Sequence, residues 1–371
     1  MAYVAVRGGL SARREAEKLT AFYRLQGESD PVTIRQIREQ MRLAVDRMMG
    51  EGSLYDPDLA ALALKQAEGD GSEASMLLRA FRSTLPRSGY SKAADTSSMR
   101  IIRRISAVLK DIPGGHYLGP TTDYSHRLLQ FDLMHESADE TKAFVQAVEA
   151  EANDRPDAAE GPYFPKVIEQ LRENGYLAGE QTADDQTKET NFIDDLTRQP
   201  LLFPASRAMR LQCLARGETG ALTAFAYADT RKYGSSHPLL GELRVGYVPL
   251  VVPHPLHEDE WITLGEVLVT EAEVLAPYED VTRKGQPLFN VGYGFCFGHN
   301  EMKAIAMGTL DIALSLDSAS GKSADEEEIL TAIDGTDASG FITHWKLPHY
   351  VDFQAGLAAK QAVRQEDAQD D

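Results

Sequence analysis

The chain has 371 residues, of which 43% are hydrophobic and 26% charged. This excludes fibrous, mucin-like and wholly disordered polymers and allows a sizeable core. Thirty-eight Lys and Arg stand against 57 Asp and Glu, a formal net charge of −19, so neither a nucleic acid polymer nor an anionic membrane is an expected partner.

The opening reads strand, Gly-Gly, helix. Tyr3–Val6 has strand propensity, Gly8 and Gly9 break it, and Ser11 is placed to cap a helix through about Gln26. Ser29-Asp30-Pro31 marks the next helix start. From there Ile34, Ile37, Met41, Val45 and Met48 recur at helical spacing until Gly50 and Gly52. Helices near residues 58–67 and 73–85 follow. The run 99–110 fits helix or strand. It enters a Gly/Pro loop, 111–120, then Thr121–Arg127 and an apolar segment, Leu128–Met134. Residues 135–200 are polar and acid-rich. They hold one expected short helix, Tyr163–Asn174, and a stretch, Gly179–Asp195, that reads as a mobile insertion.

The second half changes character. Segments 221–228, 242–252, 265–275 and 287–297 are bounded by turn residues and rich in β-branched and aromatic residues, and read as four strands of a mainly antiparallel sheet. Asn300 then caps a helix through about Leu316, Glu326–Ile333 forms another, and Val351–Gln365 is the last. Helices followed by strands, without β-α-β alternation, predict an α+β fold. Its parts are a helical region 1–134, an acidic insertion 135–200 and a sheet-rich region 201–371. No apolar run approaches the ~18 residues of a membrane span. The N-terminus charges too early for a signal peptide. Cys213 and Cys296 read as isolated buried thiols in a cytoplasmic setting.

Several motifs have two readings. Leu316–Ser323 ends like a phosphate-binding loop, but Leu316 stands where the first glycine is required, and a helix feeds it. Gly292–Gly298 reads GxGxxxG, yet bulky residues alternate between its glycines as in a strand. Neither is taken as a nucleotide site. His344 and His349 form H-x4-H in a Pro-containing loop, where two imidazoles can converge on a metal and leave coordination positions open; two unrelated loop histidines fit equally. His254 and His257 precede Glu258-Asp259-Glu260 and read as an exposed acidic turn. Glu271 and Glu273 share a strand face, suited to Mg²⁺ or acid–base work, although a solvated face explains them too. Arg207, Arg210 and Arg216 form a cationic cluster suited to phosphate, or to ordinary salt bridges.

Read in order, these segments resemble a known family. They are Ala44-Val45-Asp46-Arg47, Leu59–Ala67, Arg103–Val108, Lys110-Asp111-Ile112-Pro113-Gly114-Gly115, Leu118-Gly119-Pro120-Thr121, Asp123-Tyr124 with His126–Leu129, and His344 with Lys346–Ala355. Together they resemble the PhnI subunit of the bacterial carbon–phosphorus lyase system. The resemblance runs from the opening segment to the last helix, and the His254/His257 pair lies outside it.

The resemblance implies a role in phosphonate breakdown. PhnI-like subunits, with PhnG, PhnH and PhnL, displace adenine from MgATP with an alkylphosphonate, giving α-D-ribose 1-methylphosphonate 5-triphosphate. Alone they are associated with nucleosidase activity. The resemblance also implies a core complex with PhnG, PhnH and PhnJ, and a zinc site at the PhnJ contact held by His344 and His349. Mg²⁺ accompanies the ATP. Asp123 and His126 are the expected acid–base residues. Arg127, Gly114, Gly115, Arg207 and Arg210 are the expected substrate-binding residues. The rival expectation is a non-catalytic scaffold of the same complex that lends two histidines to an interface zinc. An unrelated zinc hydrolase is disfavoured, because no H-E-x-x-H is present.

Overall fold

The computed structural model describes residues 9–153, 164–177, 194–232, 237–257, 260–277, 282–283, 286–320 and 324–370. The expected opening strand at Tyr3–Val6 and most of the Gly179–Asp195 stretch lie outside the described residues.

The first part is helical, as expected. It holds α1 (Leu10–Leu25), α2 (Ile34–Gln40), α3 (Arg42–Gly52), α4 (Pro57–Gln66) and α5 (Gly71–Ser83). Caps set most of the starts. Thr33 and Gln36 form a reciprocal capping box on α2, Asp56 accepts the Leu59 amide at 2.9 Å, and Asp70 accepts the Glu73 amide at 3.0 Å. The apolar run from Ile34 to Met48 is therefore two helices, broken at Met41. Its glycines lie inside α3, which stops at Ser53 in the left-handed region. Helices α2 to α5 bury one core of their own, with Ile37, Val45, Met48, Leu64 and Leu78 at its centre.

The edge strand β1 (Arg100–Ile105) resolves the ambiguous run as strand. Beyond the loop come the exposed α6 (Ala138–Asn153) and the short α7 (Val167–Glu173). Then follow α8 (Arg207–Arg216) and α9 (Thr219–Lys232). Helix α9 corrects the expectation of a strand at 221–228. Its alanines favour helix, and Leu222 and Ala226 bury one face at i,i+4 spacing.

The other three expected strands form. These are β2 (Leu239–Pro253), β3 (Trp261–Ala276) and β4 (Asn290–Phe297). With β1 they make one antiparallel sheet in the order β1-β2-β3-β4. The chain closes with α10 (Glu301–Ser320), α11 (Ala324–Ala332), α12 (Gly335–Thr343) and α13 (Tyr350–Asp370). The architecture is α+β. Among the described residues no helix is long and apolar enough to cross a membrane.

The two sheet faces differ in chemistry. One carries Leu243, Ala272, Val274, Gly292 and Gly294, and α10 lies directly upon it, completing a core with α8, α9 and α11. The GxGxxxG motif is thus a strand whose glycines admit a helix. A Cβ on Gly294 would lie 1.9 Å from the Ala304 carbonyl oxygen, and one on Gly292 would lie 1.8 Å from that of Gly308. We expect Gly294→Ala to cost about 1–3 kcal/mol or more by overpacking. The check is a lower urea midpoint at unchanged slope; an unmoved midpoint would contradict this packing.

Candidate functional site

The opposite sheet face is a buried charge ladder. Pairing sets Arg104 beside Arg244, Arg244 beside Glu271, Glu242 beside Glu273, and Glu273 beside Tyr293. The Glu271 and Glu273 pair is therefore not a solvated face: the two residues are 2% and 7% exposed. Glu271 Oε1 accepts from Thr96 at 2.7 Å, Lys166 at 2.8 Å and Tyr293 at 2.9 Å. Glu242 accepts from Arg104 and from the Val167 amide. Lys166 comes from the segment expected to be an insertion, so that segment completes the ladder.

The loop after β1 is tied to this ladder. Arg104 and Tyr117 exchange both backbone hydrogen bonds, at 2.6 and 2.7 Å. The Arg104 guanidinium donates to the carbonyls of Pro113, Gly115 and Pro165. Gly114 and Gly115 both have φ of +79°, which glycine adopts without strain. The Gly115 amide is engaged by the Ile112 carbonyl at 2.8 Å, so it closes the turn.

On the other side of β1, Arg103 is fully buried and donates to the Leu118 carbonyl and to Asp123 Oδ2, at 2.6 and 2.5 Å. Asp123 Oδ1 accepts from Arg127 at 3.0 Å. Both carboxylate oxygens thus face guanidiniums. His126 and Arg127 line a shallow, open cavity of about 480 Å³ with Thr122 and Ser125. The structure brings Asp123 and Arg127 into contact and places His126 beside Arg127 at this surface.

Sequence reasoning missed His299. Arg103 Nε lies 2.8 Å from Glu301 Oε1, and Glu301 accepts from His299 Nε2 at 2.7 Å. Arg42 donates to His299 Nδ1 at 3.2 Å, and Asp46 accepts the His299 amide at 3.0 Å. A guanidinium can only donate, so Nδ1 is the acceptor and Nε2 carries the proton. The chain Asp123–Arg103–Glu301–His299–Arg42 joins the loop to the first turn of α10. The Asn300 cap, expected from sequence, sits within it and accepts the Lys303 amide at 3.2 Å.

The His344 and His349 rings lie 5.4 Å apart between centroids. His344 Nδ1 contacts the Phe341 carbonyl, and His349 Nδ1 contacts that of Leu347 at 2.6 Å. Each Nδ1 must donate, which leaves both Nε2 lone pairs for a metal. These two residues fit a divalent zinc ion completed by other ligands. His254, His257 and Glu260 also bring possible ligand atoms within 4.8 Å of one another. There His254 Nδ1 accepts the Leu256 and His257 amides, both at 3.1 Å, so that lone pair is occupied. The geometry matches a turn closed by its histidine.

The arginines of α8 are engaged inside the fold. Arg207 forks onto Asp311 at 2.6 and 3.2 Å, Arg210 lies 3.6 Å from Glu326, and Arg216 lies 3.1 Å from Asp334. These pairs join α8 to α10, α11 and the residue that caps α12. They support a packing role for Arg207 and Arg210, and the structure does not bring them to Asp123. Cys213 and Cys296 are free and buried, and burial pushes both thiols up to about 11.

Comparison with known proteins follows the same chain. The sequence model of the family described as bacterial phosphonate metabolism protein (PhnI) matches residues 2–367. A relative from Stutzerimonas stutzeri, named putative C-P lyase subunit protein HtxH, is 47% identical over 366 residues, covering 96% of this chain and 94% of the relative. Two relatives are named α-D-ribose 1-methylphosphonate 5-triphosphate synthase subunit PhnI. The one from Rhizobium meliloti is 42% identical, covering 98% of this chain and 95% of its own. The one from Escherichia coli is 43% identical, covering 98% and 99%.

The ladder makes a pH prediction. Burial, reinforced by Glu271 and Glu242 and opposed by Lys166, pushes the Glu273 carboxyl up to about 8. An acid with a raised folded pKa favours the protonated folded state. Its stabilisation is present below the unfolded value of ~4.3 and is lost as pH rises towards 8. We expect Glu273→Gln to flatten the fall in thermal midpoint between about pH 5 and 8. An unchanged slope in the variant would contradict the assignment.

Proposed function

The chain belongs to the PhnI family of bacterial phosphonate metabolism proteins, and on that premise we propose that it is the catalytic subunit that displaces adenine from MgATP with an alkylphosphonate. The product is α-D-ribose 1-methylphosphonate 5-triphosphate. The observation that carries this reading is the match, over 98% of the chain, to relatives named as subunits of the synthase for that compound. We place the protein in the cytoplasm, working with PhnG-, PhnH-, PhnJ- and PhnL-type subunits. The exposed apolar run around Leu128, Leu129, Phe131 and Met134 supports assembly, since such patches commonly meet partners.

The reaction breaks the bond between adenine nitrogen and ribose C1′ and forms a bond from a phosphonate oxygen to C1′. Adenine leaves with the electron pair and takes a proton. His126 is the proposed donor of that proton. Asp123, held as an acceptor between Arg103 and Arg127, places negative charge beside an oxocarbenium-like C1′ and orients Arg127 towards phosphate. Gly114 and Gly115 shape the turn through Arg104. With water in place of phosphonate, the same groups give nucleosidase activity. Mg²⁺ accompanies the triphosphate and shields its charge.

We assign zinc to His344 and His349, at a contact with a PhnJ-type partner that supplies the remaining ligands. Bound zinc would act there as a Lewis acid or as a structural clasp.

Two measurements test these assignments. Adenine release from MgATP should fall about 10²–10⁴-fold in Asp123→Ala and in His126→Ala. Full release by both folded variants removes the pair from the mechanism. Metal analysis of the purified complex should show zinc lost in His344→Ala and His349→Ala, and unchanged zinc refutes that site.

A further inference from the structure

A cavity of about 1060 Å³ lies between the end of α5, the 194–198 segment and the ends of β2, β3 and β4. Its volume is at the upper end for small-molecule sites. Among the described lining residues, four arginines, Arg82, Arg87, Arg198 and Arg216, stand against two aspartates, Asp194 and Asp195. The wall is net cationic in a chain whose formal net charge is −19.

Most of these charges already have partners. Arg87 and Tyr90 meet Asp195 at 2.8 and 3.2 Å. Arg216 meets Asp334, which also takes Arg79 at 2.6 Å. Arg82 differs. Its Nη1 reaches the Gly52 and Ser53 carbonyls at 3.2 and 3.5 Å, and among the described residues it has no ion-paired carboxylate. Burial, with Arg216 and Arg79 close by, brings its guanidinium down to about 10. The site is short of negative charge.

A second observation lies behind the cavity wall. Lys303 is fully buried, and among the described residues its ammonium has no hydrogen-bond partner. Its Nζ comes within 3.4 Å of the Cβ position of Gly50, a lining residue. Burial holds its amine below the ordinary range. A buried amine without a hydrogen-bond partner is costly and needs a reason. Tyr55, Phe295 and Phe297 supply aromatic surface to the same cavity. The combination suits a ligand with a polyanionic tail and a flat apolar head.

We propose that this cavity binds a nucleoside triphosphate, its phosphates drawn to Arg82, Arg198 and Arg216 with Lys303 behind the wall. This rests on the synthase reading above, and it locates the substrate's charged end. The last wall residue of β4, Phe297, is two residues from His299, which the chain through Glu301 and Arg103 joins to Asp123.

The test is calorimetric titration of the full-length chain with MgATP, inorganic triphosphate and adenosine. MgATP should bind, and inorganic triphosphate should compete with it. Arg82→Gln should weaken both by about tenfold or more, the loss of one charge-assisted contact. Lys303→Met should weaken both while leaving the thermal midpoint unchanged or higher, since it removes a buried amine that has no hydrogen-bond partner among the described residues. Hydrogen exchange on the wild-type chain should show amides at 82–90 and 194–198 protected by inorganic triphosphate. Equal affinity in both folded variants, competition by adenosine alone, or protection only outside those segments would overturn the proposal. Adenine release measured on the same samples separates the two readings. Binding here without release removes the synthase reading and leaves this site, and release without binding here does the reverse.

Discussion

Two adjacent, fully buried arginines on one edge strand anchor the rest of the structure. Successive side chains of a strand leave on opposite faces, so Arg103 and Arg104 of β1 grip the following loop from both sides. Arg104 enters the charge ladder at Glu242 and binds the carbonyls of Pro113, Gly115 and Pro165. Arg103 takes the Leu118 carbonyl, Asp123 and Glu301. A buried guanidinium must find partners or destabilise the fold by several kcal/mol. That requirement fixes the loop, and through it the placement of Asp123.

The sheet imposes the complementary constraint. Its apolar face is closed by α10, which approaches so near that only glycine fits at positions 292 and 294. This contact carries the first turn of α10, with Glu301 beside His299, to the Arg103 side of the sheet. The Asp123 to Arg42 chain is therefore a consequence of how closely one helix lies on three strands. The helical N-terminal part is tied in by ions, with Arg79 on Asp334 and Arg47 on Glu218.

Local signals made much of this fold legible. The Asn300 cap, and the β-branched and aromatic residues between turn residues in β2, β3 and β4, place those elements from sequence. Helix α9 misled because aromatic and β-branched residues mask an alanine-rich face. Strand β1 stayed ambiguous because its arginines look like surface residues until their long-range partners are known. For the same reason the sequence could not separate Arg207, engaged by Asp311, from Arg82, which has no carboxylate partner among the described residues. The net charge of −19 pointed away from anionic partners. The structure qualifies that for small anions, because four arginines face two aspartates among the described residues that line one cavity.

The central claim is that this chain performs chemistry on the triphosphate substrate and is not only a scaffold. The direct measurement is ³¹P nuclear magnetic resonance of MgATP and methylphosphonate incubated with the assembled complex. Two assemblies of identical composition are compared, one with the wild-type chain and one with Asp123→Ala and His126→Ala combined. The account predicts ribose 1-methylphosphonate 5-triphosphate signals from the first and none from the second over the same time. Product forming at the wild-type rate in the second assembly would contradict it.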